Sequence, residues 1–165
     1  MYDLLDSNVF GSNNWCFQLQ PLYKHGLLTS LSNGEVHLLD WKTNQSIKSF
    51  KVGTTAVNGL KVIDYDFHDG DLFASCSMDT VKLFDVRQSS EMAIGTIKSE
   101  NESPFLSMDS RNGKLACGTE LKGVDAQLHI YDIRKLDSTW KSFVDSHHDD
   151  ITCIKFHPSD PTVLL

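Results

Sequence analysis

The sequence lacks the features that mark membrane-spanning, secreted and disulfide-bonded proteins. No run of about 18 consecutive apolar residues occurs, so we expect no membrane-spanning helix. The first residues, Met1–Asp6, contain neither a basic stretch nor an apolar one, so we expect no signal peptide. The four cysteines lie far apart and none forms a Cys-x-x-Cys pair, which favours reduced thiols in an intracellular protein.

Basic residues are scarce relative to acidic ones. Lys and Arg number 15 and Asp and Glu 22, which gives the 165-residue chain a net charge of -7. Nucleic acids and anionic membranes both require a basic protein surface, so we expect neither as a partner. Apolar residues make up 40% and charged residues 22%, proportions typical of a folded globular protein.

Enzyme signatures are missing too. The sequence has no P-loop, no Rossmann glycine pattern, no nucleophile elbow and no zinc-hydrolase motif. The segment His147–Asp150 contains residue types that bind metals, but side chains of adjacent residues diverge, so a turn is the favoured interpretation. We therefore predict a protein with no catalytic residues, no metal ligands and no cofactor.

A repeat is the strongest feature that the sequence does have. Three segments each end in an aspartate after alternating apolar residues: Val36–Asp40, Val81–Asp85 and Leu128–Asp132. The closing aspartates are 45 and then 47 residues apart. A hydroxyl residue precedes each aspartate at a turn: Ser32 and Ser77 by eight residues, and Thr119 by thirteen. A period near 45 residues is typical of propeller blades.

Each repeat contains four short strand-like runs separated by Gly, Asn, Asp and Ser turns, and no stretch keeps a helical period over three turns. We therefore predict an all-β chain with almost no helix, made of four-stranded antiparallel blades of a β-propeller. The predicted boundaries follow the repeat: an N-terminal extension 1–13, blade one 14–56, blade two 57–104, blade three 105–150 and the start of a fourth blade 151–165.

The repeats resemble those of the WD40 family. Phe84–Arg87 and Tyr131–Arg134 stand where the family has Trp-Asp, and Asp145–Pro161 resembles its Gly-His turn, the following strand and the next turn. Within the family, Cys117–Glu120 and Asp125–Ala126 are similar to the group called WD repeat-containing protein 89. The resemblance implies a partial propeller of three blades plus the start of a fourth, the N-terminal half of a seven-bladed ring.

The resemblance also assigns structural roles to repeat positions. In the family, a histidine, a strand Ser or Thr, a turn Asp and a Trp form a hydrogen-bonded tetrad inside each blade. Here only the last unit has the histidine, which we expect to point inward, and no unit has the Trp, so the hydroxyls need other partners. The predicted structural positions are Ser32, Asp40, Ser77, Asp85, Thr119, Asp132 and His147.

The functional prediction is a non-enzymatic scaffold that binds other proteins in a larger complex, in the nucleus or cytoplasm, with the nucleus slightly favoured by the resemblance. Acidic loops carrying Tyr65, Phe67 and Leu121 are candidate contacts for a basic partner. Trp15 is expected between blades and Trp41 partly exposed. Open blade edges are a further route, to self-association.

The alternative function is a substrate-receptor adaptor of a cullin-type ubiquitin ligase. Arg87 and Arg134 each follow the closing aspartate by two residues, as in the Trp-Asp-x-Arg motif of related adaptors. An arginine in this register offers a forked donor to a partner carboxylate. The competing interpretation is that each arginine pairs with an acid of its own blade.

Overall fold

The computed structural model describes residues 13–22, 24–63, 71–99, 102–123, 126–136, 139–160 and 162–165. Within them, the regular structure consists of strands arranged as three four-stranded sheets, and consecutive strands pair antiparallel within each sheet. The first sheet contains β1 (Cys16–Leu22), β2 (Gly26–Leu31), β3 (Glu35–Leu39) and β4 (Ser46–Lys51). The second contains β5 (Gly59–Val62), β6 (Leu72–Ser77), β7 (Thr80–Asp85) and β8 (Gly95–Lys98). The third contains β9 (Phe105–Arg111), β10 (Lys114–Thr119), β11 (Ala126–Asp132) and β12 (Thr139–His147). This confirms the prediction of an all-β chain of four-stranded antiparallel units.

Short turns close the hairpins. Between β9 and β10, Asn112 and Gly113 have φ angles of 47° and 72°. Two successive positive φ angles form the tight turn whose twist matches antiparallel strands, and Asn-Gly is the residue pair that adopts it most readily. The sequence therefore fixes this register locally, with Lys114 opposite Arg111.

The three sheets stack face to face through apolar side chains. Phe50 of the first sheet contacts Phe73 and Phe84 of the second, with ring centroids 5.0 and 5.4 Å apart. All three rings are fully buried. A second cluster, which includes Leu83 and Leu115, joins the second sheet to the third. Burial of apolar area between sheets is therefore the main force that holds the stack together.

One backbone hydrogen bond recurs at every junction between units. The N–H of Val57 donates to the carbonyl of Leu31 at 3.1 Å, Phe105 to Met78 at 2.9 Å, and Ile151 to Thr119 at 3.1 Å. In each case the start of one unit is bonded to the end of the second strand of the preceding unit or to the residue just after it, and the sheets stack in one orientation. One end of the stack carries Asp40, Asp85 and Asp132, and we call it the Asp end. The other carries Ser32, Ser77 and Thr119, and we call it the Ser end.

The last segment begins a further unit against the third sheet. Lys155 and Leu165 exchange backbone hydrogen bonds of 2.9 and 2.8 Å, and His157 donates to the carbonyl of Val163 at 2.9 Å. Ile151, Ile154 and Phe156 are buried in a cluster with the third sheet. The third sheet is therefore covered on both faces along part of its length.

Candidate functional site

The hydroxyls at the repeat positions all have partners other than the tetrad. The N–H of Trp15 donates to Ser32 Oγ at 3.0 Å. Ser77 Oγ lies 2.9 Å from Thr55 Oγ1 and donates to the Thr55 carbonyl at 3.2 Å. Thr119 Oγ1 accepts from the N–H of Gln127 at 2.8 Å. These bonds tie the Ser end together.

The three repeat aspartates fix the turn that follows the third strand of each sheet. Asp40 Oδ1 accepts from the N–H of Lys42 at 2.7 Å. In the same way Asp85 accepts from the N–H of Arg87 at 2.9 Å, and Asp132 from that of Arg134 at 3.1 Å. A short carboxylate that accepts from the backbone two residues on is a common turn-forming device. The aspartates therefore act structurally, inside their own units.

Both arginines of the Asp-x-Arg segments bind the preceding aspartate with a two-pronged contact. Arg87 Nε and Nη2 lie 3.0 and 2.7 Å from the Asp85 carboxylate oxygens, and Arg134 Nε and Nη2 lie 2.9 and 2.6 Å from those of Asp132. Hydrogen bonds from Arg134 and then from Lys114, whose Nζ is 2.6 Å away, hold the pKa of Asp132 well below its usual range. The structure thus shows the pairing within the blade that the sequence left open.

Arg87 belongs to a charged network that crosses from the first sheet to the second. Arg87 Nη1 lies 3.3 Å from Asp71 Oδ2, and His25 Nε2 lies 2.7 Å from Asp71 Oδ1. The hydrogen bond to Asp85 raises the pKa of Arg87 further above its ordinary value. His25 lies in the turn between β1 and β2, so this network fastens two neighbouring turns at the Asp end.

His147 does not occupy the expected inward position. It is the last residue of β12, where it pairs with Ala126, and it is exposed. Strand β12 continues as far as His147, so the turn that the sequence predicted at this histidine begins after it.

Of the three loop residues predicted to contact a partner, only Leu121 lies among the described residues. Tyr65 and Phe67 lie outside the described residues. Leu121 is half-buried at the Ser end, packed against the Ile151 cluster, and its N–H donates to Asp150 Oδ1 at 2.7 Å. Leu121 therefore takes part in packing, and its contact with a partner stays a prediction.

The exposed apolar side chains at the Asp end were missed by sequence reasoning, apart from Trp41. Trp41, Met92 and Ile94 are 70%, 78% and 45% exposed, and they lie in the turns before β4 and β8. Lys48 Nζ donates to the carbonyls of Gln88 and Ser90, which holds β4 beside the loop that carries Met92. The available signal was apolar residues inside segments that otherwise have turn composition.

Of the four free cysteines, Cys76 and Cys117 are buried, and Cys16 and Cys153 are exposed. Burial raises the pKa of Cys76 to about 12 and that of Cys117 well above its ordinary value, so these thiols stay protonated. In the part of the chain that the structure describes, no three His, Cys, Asp or Glu side chains come together as metal ligands. No helix there is long and apolar enough to cross a membrane.

Comparison with known proteins gives two relatives that are both described as WD repeat-containing proteins. The chain is 58% identical over 164 residues to an uncharacterized WD repeat-containing protein of Saccharomyces cerevisiae, covering 99% of this chain and 42% of the relative. It is 28% identical over 144 residues to an uncharacterized WD repeat-containing protein of Schizosaccharomyces pombe, covering 86% of this chain and 42% of the relative. The chain thus spans about two fifths of the length of these relatives. No family model matches.

Solved structures resemble the chain in fold. A chain in the crystal structure of the mitotic checkpoint complex has a TM-score of 0.76 and 18% identity, covering 93% of this chain and 44% of that one. A computationally designed protein has a TM-score of 0.68 and 16% identity, covering 86% of this chain and 40% of that one. At such low identity these neighbours bear on the fold alone, and the narrower resemblance to the WD repeat-containing protein 89 group stays a prediction.

Proposed function

The chain is a WD-repeat protein whose sheets form part of a β-propeller, and from this premise we propose that it is a non-enzymatic scaffold that binds other proteins. Propellers of this kind generally serve as rigid interaction platforms whose turns vary freely. One structural neighbour comes from a crystal structure of a complex. We further propose an intracellular location, in the nucleus or cytoplasm.

The observation that carries the proposal is the set of exposed apolar side chains at the Asp end, formed by Trp41, Met92 and Ile94. Large apolar groups on neighbouring turns mark a protein contact better than scattered ones do. Tryptophan and methionine are also enriched at the centres of protein interfaces, where removal of one side chain weakens binding strongly. The Asp end is therefore the surface that we assign to a partner.

The test is partner capture by the natural protein at full length, followed by quantitative mass spectrometry. Trp41→Ala and Met92→Ala should each reduce the amount of a stoichiometric partner by at least tenfold. Met78→Ala is the matched control, because Met78 is also about half exposed, at 51%, but lies at the Ser end. Equal partner recovery from all three variants would contradict the proposal.

The alternative, a ubiquitin-ligase adaptor, depends on Arg87 and Arg134. Both guanidinium groups are engaged by Asp85 and Asp132, which supports a structural role, although each side chain keeps about half or more of its surface exposed. An adaptor would capture cullin-ligase subunits and lose them in the Arg87→Ala, Arg134→Ala double variant. If partners are recovered but no ligase subunits are among them, the adaptor role is contradicted and the scaffold role remains.

A further inference from the structure

The first strands of the units together line a polar cavity of about 340 Å³. Gln20 of β1, Lys61 of β5, Asp109 and Arg111 of β9, and Lys155 of the last segment all border it. Each of these residues lies near the end of its first strand, so the cavity opens toward the Asp end. Four consecutive units thus contribute to one site.

The charge of this cavity opposes that of the whole chain. Lys61 Nζ lies 2.6 Å from Asp109 Oδ1, and Lys155 Nζ lies 3.9 Å from the same oxygen. The other carboxylate oxygen of Asp109 accepts from the N–H of Phe156 at 2.8 Å. Burial raises the pKa of Asp109, but the hydrogen bonds and the nearby lysines outweigh burial and lower it. Three cations against one carboxylate leave the site positive in a chain of net charge -7.

Arg111, which borders this cavity, has an unsatisfied donor. Its Nε is buried and has no hydrogen-bond partner among the described residues. A buried donor without an acceptor costs about 1–3 kcal/mol, so such groups are normally satisfied by protein, water or a bound ion. The planar guanidinium is well suited to bind two oxygens of a phosphate group at once.

We propose that this cavity binds a phosphate-type oxyanion, held by Arg111 with Lys61 and Lys155. Two excess positive charges in a partly enclosed site suit a phosphate group, which carries about 1.5 to 2 negative charges near neutral pH. Asp109 orients the lysines and stops them from folding away into solvent. The oxyanion is a free phosphate or the phosphorylated side chain of a partner, and both present the same group to the site.

The test is calorimetric titration of the natural full-length protein with inorganic phosphate at pH 7.5 and constant ionic strength. We expect saturable binding that Arg111→Gln weakens at least tenfold. Lys42→Gln, which removes an exposed cation from the turn before β4, should leave binding unchanged. Arg111→Lys keeps the charge and loses the planar fork, so it should weaken binding less than Arg111→Gln. Absence of binding, or equal weakening by Lys42→Gln, would overturn the proposal.

A second measurement separates the two sources of the anion. A fluorescent peptide with one phosphoserine among neutral residues is compared with its unphosphorylated form by anisotropy. Tighter binding of the phosphopeptide than of inorganic phosphate, lost in Arg111→Gln, supports a partner side chain. Phosphate binding without a peptide preference supports a free anion. These titrations use purified protein alone, so their outcome is independent of whether a partner is captured through Trp41 and Met92.

Discussion

At the scale of single residues, the departures from the family pattern are compensated by local hydrogen bonds. Ser77 has no tetrad, but it contacts both the hydroxyl and the carbonyl of Thr55 in the link to the second sheet. Sequence reasoning predicted that this hydroxyl needs another partner. It did not identify Thr55, because the pairing depends on the link folding back over the Ser end.

Ser77→Ala should therefore destabilise the protein by about 0.5–1.5 kcal/mol, since it removes the hydrogen bonds that the buried Ser77 hydroxyl makes to Thr55. Urea unfolding of both proteins measures the difference. Thr54→Ala, in the same link but exposed, is the control and should change the free energy of unfolding by less than about 0.5 kcal/mol. A loss no larger than that of the control would show that the hydroxyl contributes nothing.

Asp132 should make the free energy of unfolding depend on pH. Its pKa is lowered in the folded protein, so its contribution is fully present above the unfolded pKa of about 3.9 and is lost as pH falls toward the folded value. Asp132→Asn should be less stable than the natural protein at pH 7, and the difference should shrink steadily below about pH 4. Unfolding measured from pH 7 to pH 2.5 tests this, and a pH-independent difference would contradict it.

At the scale of strands and sheets, the repeated aspartate predicted the third strand of every unit, because alternating apolar residues before a turn leave one register that buries them. The repeat does not define the other strands as closely: in blade two, predicted to begin at residue 57, β5 begins only at Gly59, and β8 spans only Gly95–Lys98. The N–H of Val57 is used in the junction to Leu31, and Met92 donates to Ser90 Oγ at 3.0 Å. A tertiary contact at Val57 and a local turn contact at Met92 thus take backbone groups that the pattern alone would assign to a sheet.

The junction between the first and second sheets rests on the ring cluster of Phe50, Phe73 and Phe84. Phe73 stacks on Phe84 with centroids 5.0 Å apart and is fully buried. Phe73→Ala should cost about 3–5 kcal/mol, through lost burial and the cavity that remains. Phe17→Ala, at an exposed position of β1, should cost less than about 1 kcal/mol. Similar costs for the two variants in chemical denaturation would show that the cluster does not hold the sheets together.

At the scale of the whole molecule, sequence reasoning found the architecture and missed the surface. The period of the repeat can be measured along the sequence, whereas the exposure of a side chain depends on which elements pack against its sheet. Trp15 was expected between blades and is exposed. Met92 and Ile94 were not singled out, and the cavity around Arg111 unites residues as far apart in the sequence as Gln20 and Pro158.

The face of the first sheet that points away from the second sheet carries exposed apolar side chains that sequence reasoning did not predict. Gln18 bonds to Leu60 of the second sheet and to Asn58 just before it, so the next residue, Leu19, points the opposite way. Leu19 and Phe17, which lies at an irregularity in the pairing of β1 with β2, are 47% and 54% exposed. The second and third sheets have both faces packed against a neighbouring unit. The 165-residue chain by itself should therefore associate through this face as its concentration rises.

Sedimentation velocity over a hundredfold range of concentration tests this association. The sedimentation coefficient of the isolated chain should increase with concentration from that of an 18.6 kDa monomer. Leu19→Lys and Phe17→Lys should each shift the association to higher concentration, because a lysine ammonium resists transfer out of water. Met92→Lys, which places the same charge at an exposed apolar position of the Asp end, should leave association unchanged. If Met92→Lys had the larger effect, the Asp end and not the sheet face would be the surface that two copies share.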